Sequence, residues 1–232
     1  MAAATDERRV IPTADGSASV YAPRFDASYH STHGAFQESR HVFVEAGLRH
    51  VAQGRDTVSV LECGFGTGLN LFASLAYAVE RDLRLDYTGV EAFPLPPSLL
   101  AATDYARLDA LAPLVRLSPK LLPDVHAAPW PSDVSLGALG VLRKRRRRIE
   151  DTDECTAYDL VYYDAFAPRA QPELWTADVF ARLYASLRPG GALVTYCVQG
   201  RVRRTMASVG FDVAKLPGPP GKREMARATK PA

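Results

Sequence analysis

The sequence predicts an α/β protein, a doubly wound and mostly parallel sheet with an N-terminal hairpin and helix and a C-terminal antiparallel strand pair. Three observations carry this. Apolar strand-like runs alternate with segments of helical periodicity. The run Val58–Cys63 passes directly into the glycines of ECGFGTGLN. Two further runs, Phe211–Leu216 and Glu224–Thr229, flank the turn PGPPGK.

The elements follow in order. Residues 1–9 carry no periodicity and are expected to form a disordered tail. Val10 to Tyr21 reads as a hairpin turning at Asp15-Gly16. Phe43, Gly47 and Val51, with Val44 and Leu48, fall at helical spacing, so a helix is expected from Gly34 to His50. A strand over Val58–Cys63 precedes a helix from about Gly68 to Arg81, whose Leu69, Phe72, Ala73, Ala76 and Val79 share one face. A second strand covers Leu85–Glu91. Pro94, Pro96 and Pro97 then interrupt the chain before another helical stretch reaching Leu111. Residues 118–157 show no clear pattern. Tyr158–Tyr163 is a strand, about Pro172 to Leu187 a helix, Ala192–Cys197 a strand and Arg201–Val209 a helix. No repeat or linker divides the chain, so 10–232 is expected to be a single domain. Within it, 10–54 forms the hairpin-and-helix extension and 143–157 a variable charged loop.

Composition narrows the class. With 232 residues, 47% apolar and 23% charged, the chain has the make-up of an ordinary globular protein able to bury its own core. This excludes a wholly disordered chain, a collagen-like repeat and a coiled coil. No apolar run approaches the roughly 20 residues of a membrane span, and MAAATDERRV is no secretory signal, so no membrane partner is expected. Cys63, Cys155 and Cys197 are widely spaced without a CxxC pair, which predicts reduced thiols in a cytoplasmic protein and no metal site. The net charge is +2, yet six consecutive cations occupy 143–148. The positive field is therefore local. Six cations in a row, extended by Arg203, Arg204, Lys222 and Arg223, suit the backbone of an RNA; a solvated segment is the structural alternative.

The chemistry gathers at strand ends. Gly64, Gly66 and Gly68 between a strand and a helix let a ligand approach the backbone closely, although a tight turn without a ligand has the same signature. The spacing GxGxG, with no following lysine, disfavours a nucleotide triphosphatase. Glu91, about twenty residues downstream at the end of the next strand, is placed to accept hydrogen bonds from both hydroxyls of a ribose. Together these suit an adenosine ligand and leave NAD and S-adenosylmethionine open. Asp164 closes an apolar strand and opens a loop holding Phe166, Pro168 and Trp175. A carboxylate beside aromatic rings suits a planar, partly cationic substrate or a reacting amine. An N-cap carboxylate beside core aromatics is the structural alternative.

At these residues the sequence resembles the S-adenosylmethionine-dependent methyltransferase domain of the tRNA 5-methylaminomethyl-2-thiouridine biosynthesis enzymes, in stand-alone form. The resemblance rests on YHSTHGAFQESRHVF (29–43), ECGFGTGLN (62–70), VEAFPL (90–95), YYDAFAPRAQPELWT (162–176) and the stretch from RPGGALVTYC to MARA. It implies a Rossmann-like methyltransferase fold. It also implies methyl transfer to the exocyclic aminomethyl nitrogen on the wobble uridine of tRNA, with S-adenosylmethionine and neither metal nor flavin. By the same resemblance, Gly64, Gly66 and Gly68, with Glu62 and Asn70 at the ends of their motif, belong to the cofactor site. Glu91 would hold the ribose, and Phe93 and Pro94 would lie near the adenine. Tyr29 and Glu38 would belong to a lid, and Asp164 and Phe166 to the methyl-transfer pocket. The family's glycine–aspartate element for the adenine is replaced here by LRKRRRRIEDTDECTAYD. Asp151 is the nearest match, with Glu150 and Asp153 close behind. A methyltransferase for small amines, a nicotinamide-dependent dehydrogenase and a non-catalytic RNA-binding relative are the competing readings. The oligomeric state is not legible in the sequence.

Overall fold

The computed structural model describes residues 8–232. Most of the expected tail, 1–7, therefore lies outside the described residues. Arg9 already belongs to strand β1 (Arg9–Pro12), which pairs antiparallel with β2 (Ala18–Ala22). A two-residue strand, β3 (Ala27–Ser28), completes this small sheet.

The larger sheet contains β4 (Thr57–Cys63), β5 (Arg84–Val90), β6 (Ser132–Ser135), β7 (Gly140–Arg145), β8 (Tyr158–Tyr163), β9 (Leu187–Thr195), β10 (Asp212–Pro217) and β11 (Glu224–Thr229). Its order is β10-β11-β9-β8-β4-β5-β7-β6. The five strands from β9 to β7 pair in parallel, while β6, β11 and β10 run antiparallel at the two margins. The chain leaves β4 toward β5 on one side and returns to β8 on the other. That reversal opens a crevice beyond the carboxyl ends of β4, β5 and β8, where an open α/β sheet receives its ligand.

Helices cover both faces because the central strands are apolar on both. On one face Val60, Tyr87, Leu160 and Tyr162 pack with Phe43 and Leu48 of the segment 35–51 and with Leu71 and Leu75 of the helix Leu69–Arg81. On the other, Leu61, Val161, Tyr163 and Leu193 pack against Val179, Phe180 and Leu183 of the helix Ala177–Ser186 and Val202 and Met206 of Gly200–Ser208. The first helix departs from its expected form. It is α-helical over Ala35–Glu38 and Arg49–Val51, with the wider turns of a π-helix over Ser39–Leu48. Val42, Phe43 and Val44 are all buried there, as a helix wedged between the sheet and a second helix requires.

The charged segment 143–157 is not simply a loop. Arg143, Lys144 and Arg145 are the last residues of β7, an internal strand between β5 and β6. Alternation explains how a strand tolerates them. Leu142 and Lys144 point inward, and the ammonium of buried Lys144 donates to the carbonyls of Val125 (3.0 Å) and Ala128 (2.6 Å). Trp130 lies beneath it, with the ring centroid 4.7 Å away. Arg143 and Arg145 point the other way and pair with Asp86 and Asp133. The helix Leu121–Ala127 and strand β6 also fall within the stretch that showed no pattern.

Candidate active site

A cleft of 720 Å³ lies over the carboxyl ends of β4, β5 and β8, roofed by the 21–32 segment of the small sheet. Gly64, Glu91, Phe93, Pro94, Asp164 and Phe166 line it, and Tyr29 and Glu38 close it from the roof.

The glycine loop is shaped by two close approaches. Gly64 has φ +91°, and a Cβ there would lie 2.8 Å from the carbonyl oxygen of Asp164. Gly66 has φ +52°, and its Cβ would meet the Tyr29 ring at 2.8 Å. Only glycine combines such torsions with such contacts. Gly68 starts the helix Leu69–Arg81. Glu91 ties the loop down. One carboxylate oxygen accepts from Gly66 N–H (3.1 Å) and the other from Phe93 N–H (2.9 Å). Each retains a lone pair for a ligand hydroxyl. Burial raises the Glu91 pKa against these bonds.

Glu62 and Asn70 stand behind the wall rather than in it. Glu62 is fully buried and takes Asn70 Nδ2–H and the Tyr87 hydroxyl, each at 2.8 Å. Burial, with Asp164 and Glu91 nearby, holds its acid well above the ordinary range. Asn70 Nδ2 also donates to Asp164 Oδ2 at 2.8 Å, so one amide couples the two carboxyls. Both residues therefore position Asp164. Asp151 is a correction: it is exposed on the turn Ile149–Asp151 and does not line the cleft. Ile149 anchors that turn in the core, and it is Glu150, paired with Arg148 at 2.7 Å, that reaches the cleft.

The Asp164 side chain is only 7% exposed. Burial, with Glu38 nearby, pushes its pKa up to about 7, while Asn70 and Lys222 oppose the rise. Phe166 packs on Tyr29 (5.1 Å, edge-on) and Phe25 (4.6 Å), forming an aromatic wall beside the carboxylate. Trp175 and Tyr163, by contrast, are core residues in contact with each other.

Two residues were not singled out for the pocket by the motifs. Lys222, in the turn between β10 and β11, reaches Glu38 at 2.5 Å and lies 4.1 Å from the Tyr196 ring centroid. His30 is buried between Thr67 and Asp164. Its place beside Tyr29 within YHSTHG was the available signal.

A carboxylate and an aromatic side chain at the end of β5, beside a loop too tight for side chains, fit a ribose-bearing ligand. A second carboxylate at the end of β8 is placed for an amine. Residues 136–231 match the model of a family described as S-adenosyl-L-methionine-dependent methyltransferase. The chain thus has the Rossmann-like fold of such methyltransferases, and its C-terminal part is similar to that family.

The chain is similar to two curated proteins named tRNA 5-methylaminomethyl-2-thiouridine biosynthesis bifunctional protein MnmC. Against that of Aromatoleum aromaticum it is 37% identical over 232 residues, which is 96% of this chain and 35% of the relative. Against that of Cupriavidus necator it is 34% identical over 219 residues, 90% of this chain and 32% of the relative. The chain thus spans about a third of the length of these relatives. Among solved structures, MnmC2 from Aquifex aeolicus aligns with a TM-score of 0.75 at 24% identity, covering 98% of this chain and 73% of that one. Spermidine synthase from Thermotoga maritima aligns with a TM-score of 0.52 at 12% identity, covering 96% and 72%. Both structures establish the shared fold. No helix among the described residues is long and apolar enough to cross a membrane.

Proposed function

We propose that this chain methylates the 5-aminomethyl nitrogen of the wobble uridine of tRNA, in the cytoplasm, to give 5-methylaminomethyluridine. The observation that carries the reading is Asp164, a desolvated carboxylate beside an aromatic wall in the cleft of a methyltransferase fold. The names of the relatives to which the chain is similar support tRNA as the substrate. In this reading Glu91 holds the ribose of S-adenosyl-L-methionine, the glycine loop passes beneath its amino-acid part, and Phe93 and Pro94 flank the adenine. The bound cofactor supplies a methyl group already activated by its sulfonium. The chain's task is then orientation and exclusion of water. Asp164 accepts a hydrogen from the neutral amine, turning the nitrogen lone pair toward the methyl group, and takes the proton released after the N–C bond forms. Phe166, Tyr29 and Phe25 offer faces for an unstacked pyrimidine.

The test is methyl transfer to tRNA from cells lacking this modification, read as methylaminomethyluridine by mass analysis of nucleosides. Methylation of free amines but never of tRNA overturns the reading.

The cation run narrows to one residue in its contribution to RNA binding. Arg143, Lys144, Arg145, Arg147 and Arg148 have carboxylate or carbonyl partners within the chain. Arg146 is exposed, lines the cleft and has no hydrogen bond or ion pair among the described residues. Arg146→Ala is expected to lower the slope of log K against log salt for tRNA binding by about 0.7–0.9. Arg143→Ala should leave it unchanged. Equal effects from both, measured by filter binding over a salt series, would return the contact to the whole run.

A further inference from the structure

We infer that His30 reads the base that carries the reacting amine. Its Nδ1–H donates to the pyrimidine O4 while Asp164 holds the aminomethyl nitrogen on the neighbouring ring carbon, so that His30 selects uracil over cytosine. The inference rests on the amine methylation proposed above and identifies how the acceptor base is told apart.

His30 is 6% exposed and lines the cleft. Its backbone is held by Ser19 and Ser28, whose side chains bond its N–H (2.9 Å) and carbonyl (2.7 Å). The two ring nitrogens face different partners. Nε2 lies 3.2 Å from Thr67 Oγ1, and the Tyr105 hydroxyl donates to that same oxygen at 2.9 Å. With Tyr105 as donor, the Thr67 hydroxyl keeps its own proton for Nε2, and the ring proton falls on Nδ1. Asp164 favours the same tautomer. Its Oδ2 lies 3.8 Å from Nδ1, and a carboxylate prefers an N–H to a lone pair on the nitrogen that faces it. Burial lowers the His30 pKa to about 4, so the ring holds a single proton near neutral pH. Nδ1–H is therefore a donor, buried and without a hydrogen-bond partner among the described residues. Its separation from Asp164 is too long for a direct bond, and Asn70 already donates to the same Oδ2 at 2.8 Å. A buried donor is costly to leave unpaired, and the cleft is where its acceptor can enter.

Aminomethyluracil presents the matching pair of groups. Its O4 only accepts, and the carbon next to it carries the aminomethyl arm, whose amine can donate. An acceptor, Asp164, and a donor, His30 Nδ1–H, stand beside each other in the cleft in the complementary arrangement. With the amine on Asp164 and O4 on His30, the ring is fixed in its own plane against the aromatic wall of Phe166. Cytosine carries an amino group where uracil has O4. Its hydrogens would meet Nδ1–H donor to donor and leave the imidazole proton buried and unpaired. Such a mismatch is worth about 10- to 100-fold in rate.

The experiment supplies tRNA assembled with either 5-aminomethyluridine or 5-aminomethylcytidine at the wobble position to the wild type, His30→Leu and His30→Asn. Methylated nucleoside is read by mass analysis. The wild type is expected to prefer the uridine by about 10- to 100-fold in kcat/KM. His30→Leu should lose that preference by slowing on the uridine alone. His30→Asn, whose amide carries an N–H near the Nδ1 position, should recover it. Equal use of the two bases by the wild type, or an unchanged preference in a folded His30→Leu, overturns the inference. A wild type inactive on both tRNAs overturns the proposed function instead. Nitrogen-15 NMR of histidine-labelled wild-type protein gives a reading independent of activity and of how the variants fold. Nδ1 of His30 should show the shift of a protonated ring nitrogen and Nε2 that of a bare one, and the reverse overturns the inference.

Discussion

Asp164→Asn is expected to lower kcat by about 10²- to 10⁴-fold while changing S-adenosylmethionine affinity by less than about threefold, within the worth of one neutral hydrogen bond. The substitution keeps the shape and the proximity to Asn70 but removes the charge that, in the proposed reaction, orients the amine and receives its proton. Isothermal calorimetry and single-turnover methyl transfer separate the two quantities. Equal losses in both would move Asp164 to the cofactor's side of the cleft.

The same residue gives a pH signature. The wild-type rate should rise through about pH 7 as the carboxylate ionises, and this limb should vanish in Asp164→Asn. The stability consequence has the opposite sense to that of a salt-bridged aspartate. The folded protein retains this proton from the ordinary aspartate value of 3.8 up to about 7, where the unfolded chain has released it. Stability from this group therefore falls as pH rises across that window. Asp164→Asn should melt above the wild type at about pH 8, with the gap closing near pH 4. A constant gap across that range would mean that Asp164 titrates normally.

Glu91→Ala is expected to weaken S-adenosylmethionine binding on the order of 10²-fold or more, since hydrogen bonds to a charged group are each worth about 1.5–3 kcal/mol. Two losses combine. The ribose hydroxyls lose their acceptor, and Gly66 N–H and Phe93 N–H lose the oxygens that fix the loop. Glu91→Gln should fall between, because its amide retains one acceptor oxygen but places a donor before the other N–H. Calorimetric titration of the three proteins tests the order. An unchanged affinity in Glu91→Ala would show that the carboxylate serves the loop alone.

Much of this architecture was legible where local pattern and tertiary role coincide. Strand β8 is buried throughout, so YDLVYY reads as a strand without knowledge of its neighbours. The glycine loop was legible because its torsions and close contacts admit little else. Strand β7 was not. Its sequence GVLRKR shows a cation run, and only the tertiary structure reveals carbonyls for Lys144 and carboxylates for its neighbours. Asp151 lies outside the cleft because a one-residue difference on a tight turn decides which acid faces it. Glu62 and Asn70 carry a motif signature, yet that signature does not distinguish lining the cleft from bracing a residue that does. His30 was obscured because its partners Thr67 and Tyr105 come from distant parts of the chain.

The contact between Glu38 and Lys222 joins residues 184 positions apart, and β11 must pair with β9 to hold that turn in place. Glu38 on the N-terminal helical segment therefore depends for its cation on a turn that only the C-terminal strand pair presents. The wall of the cleft beside Glu38 is thus assembled from segments far apart along the sequence, and a change in either segment reaches the other.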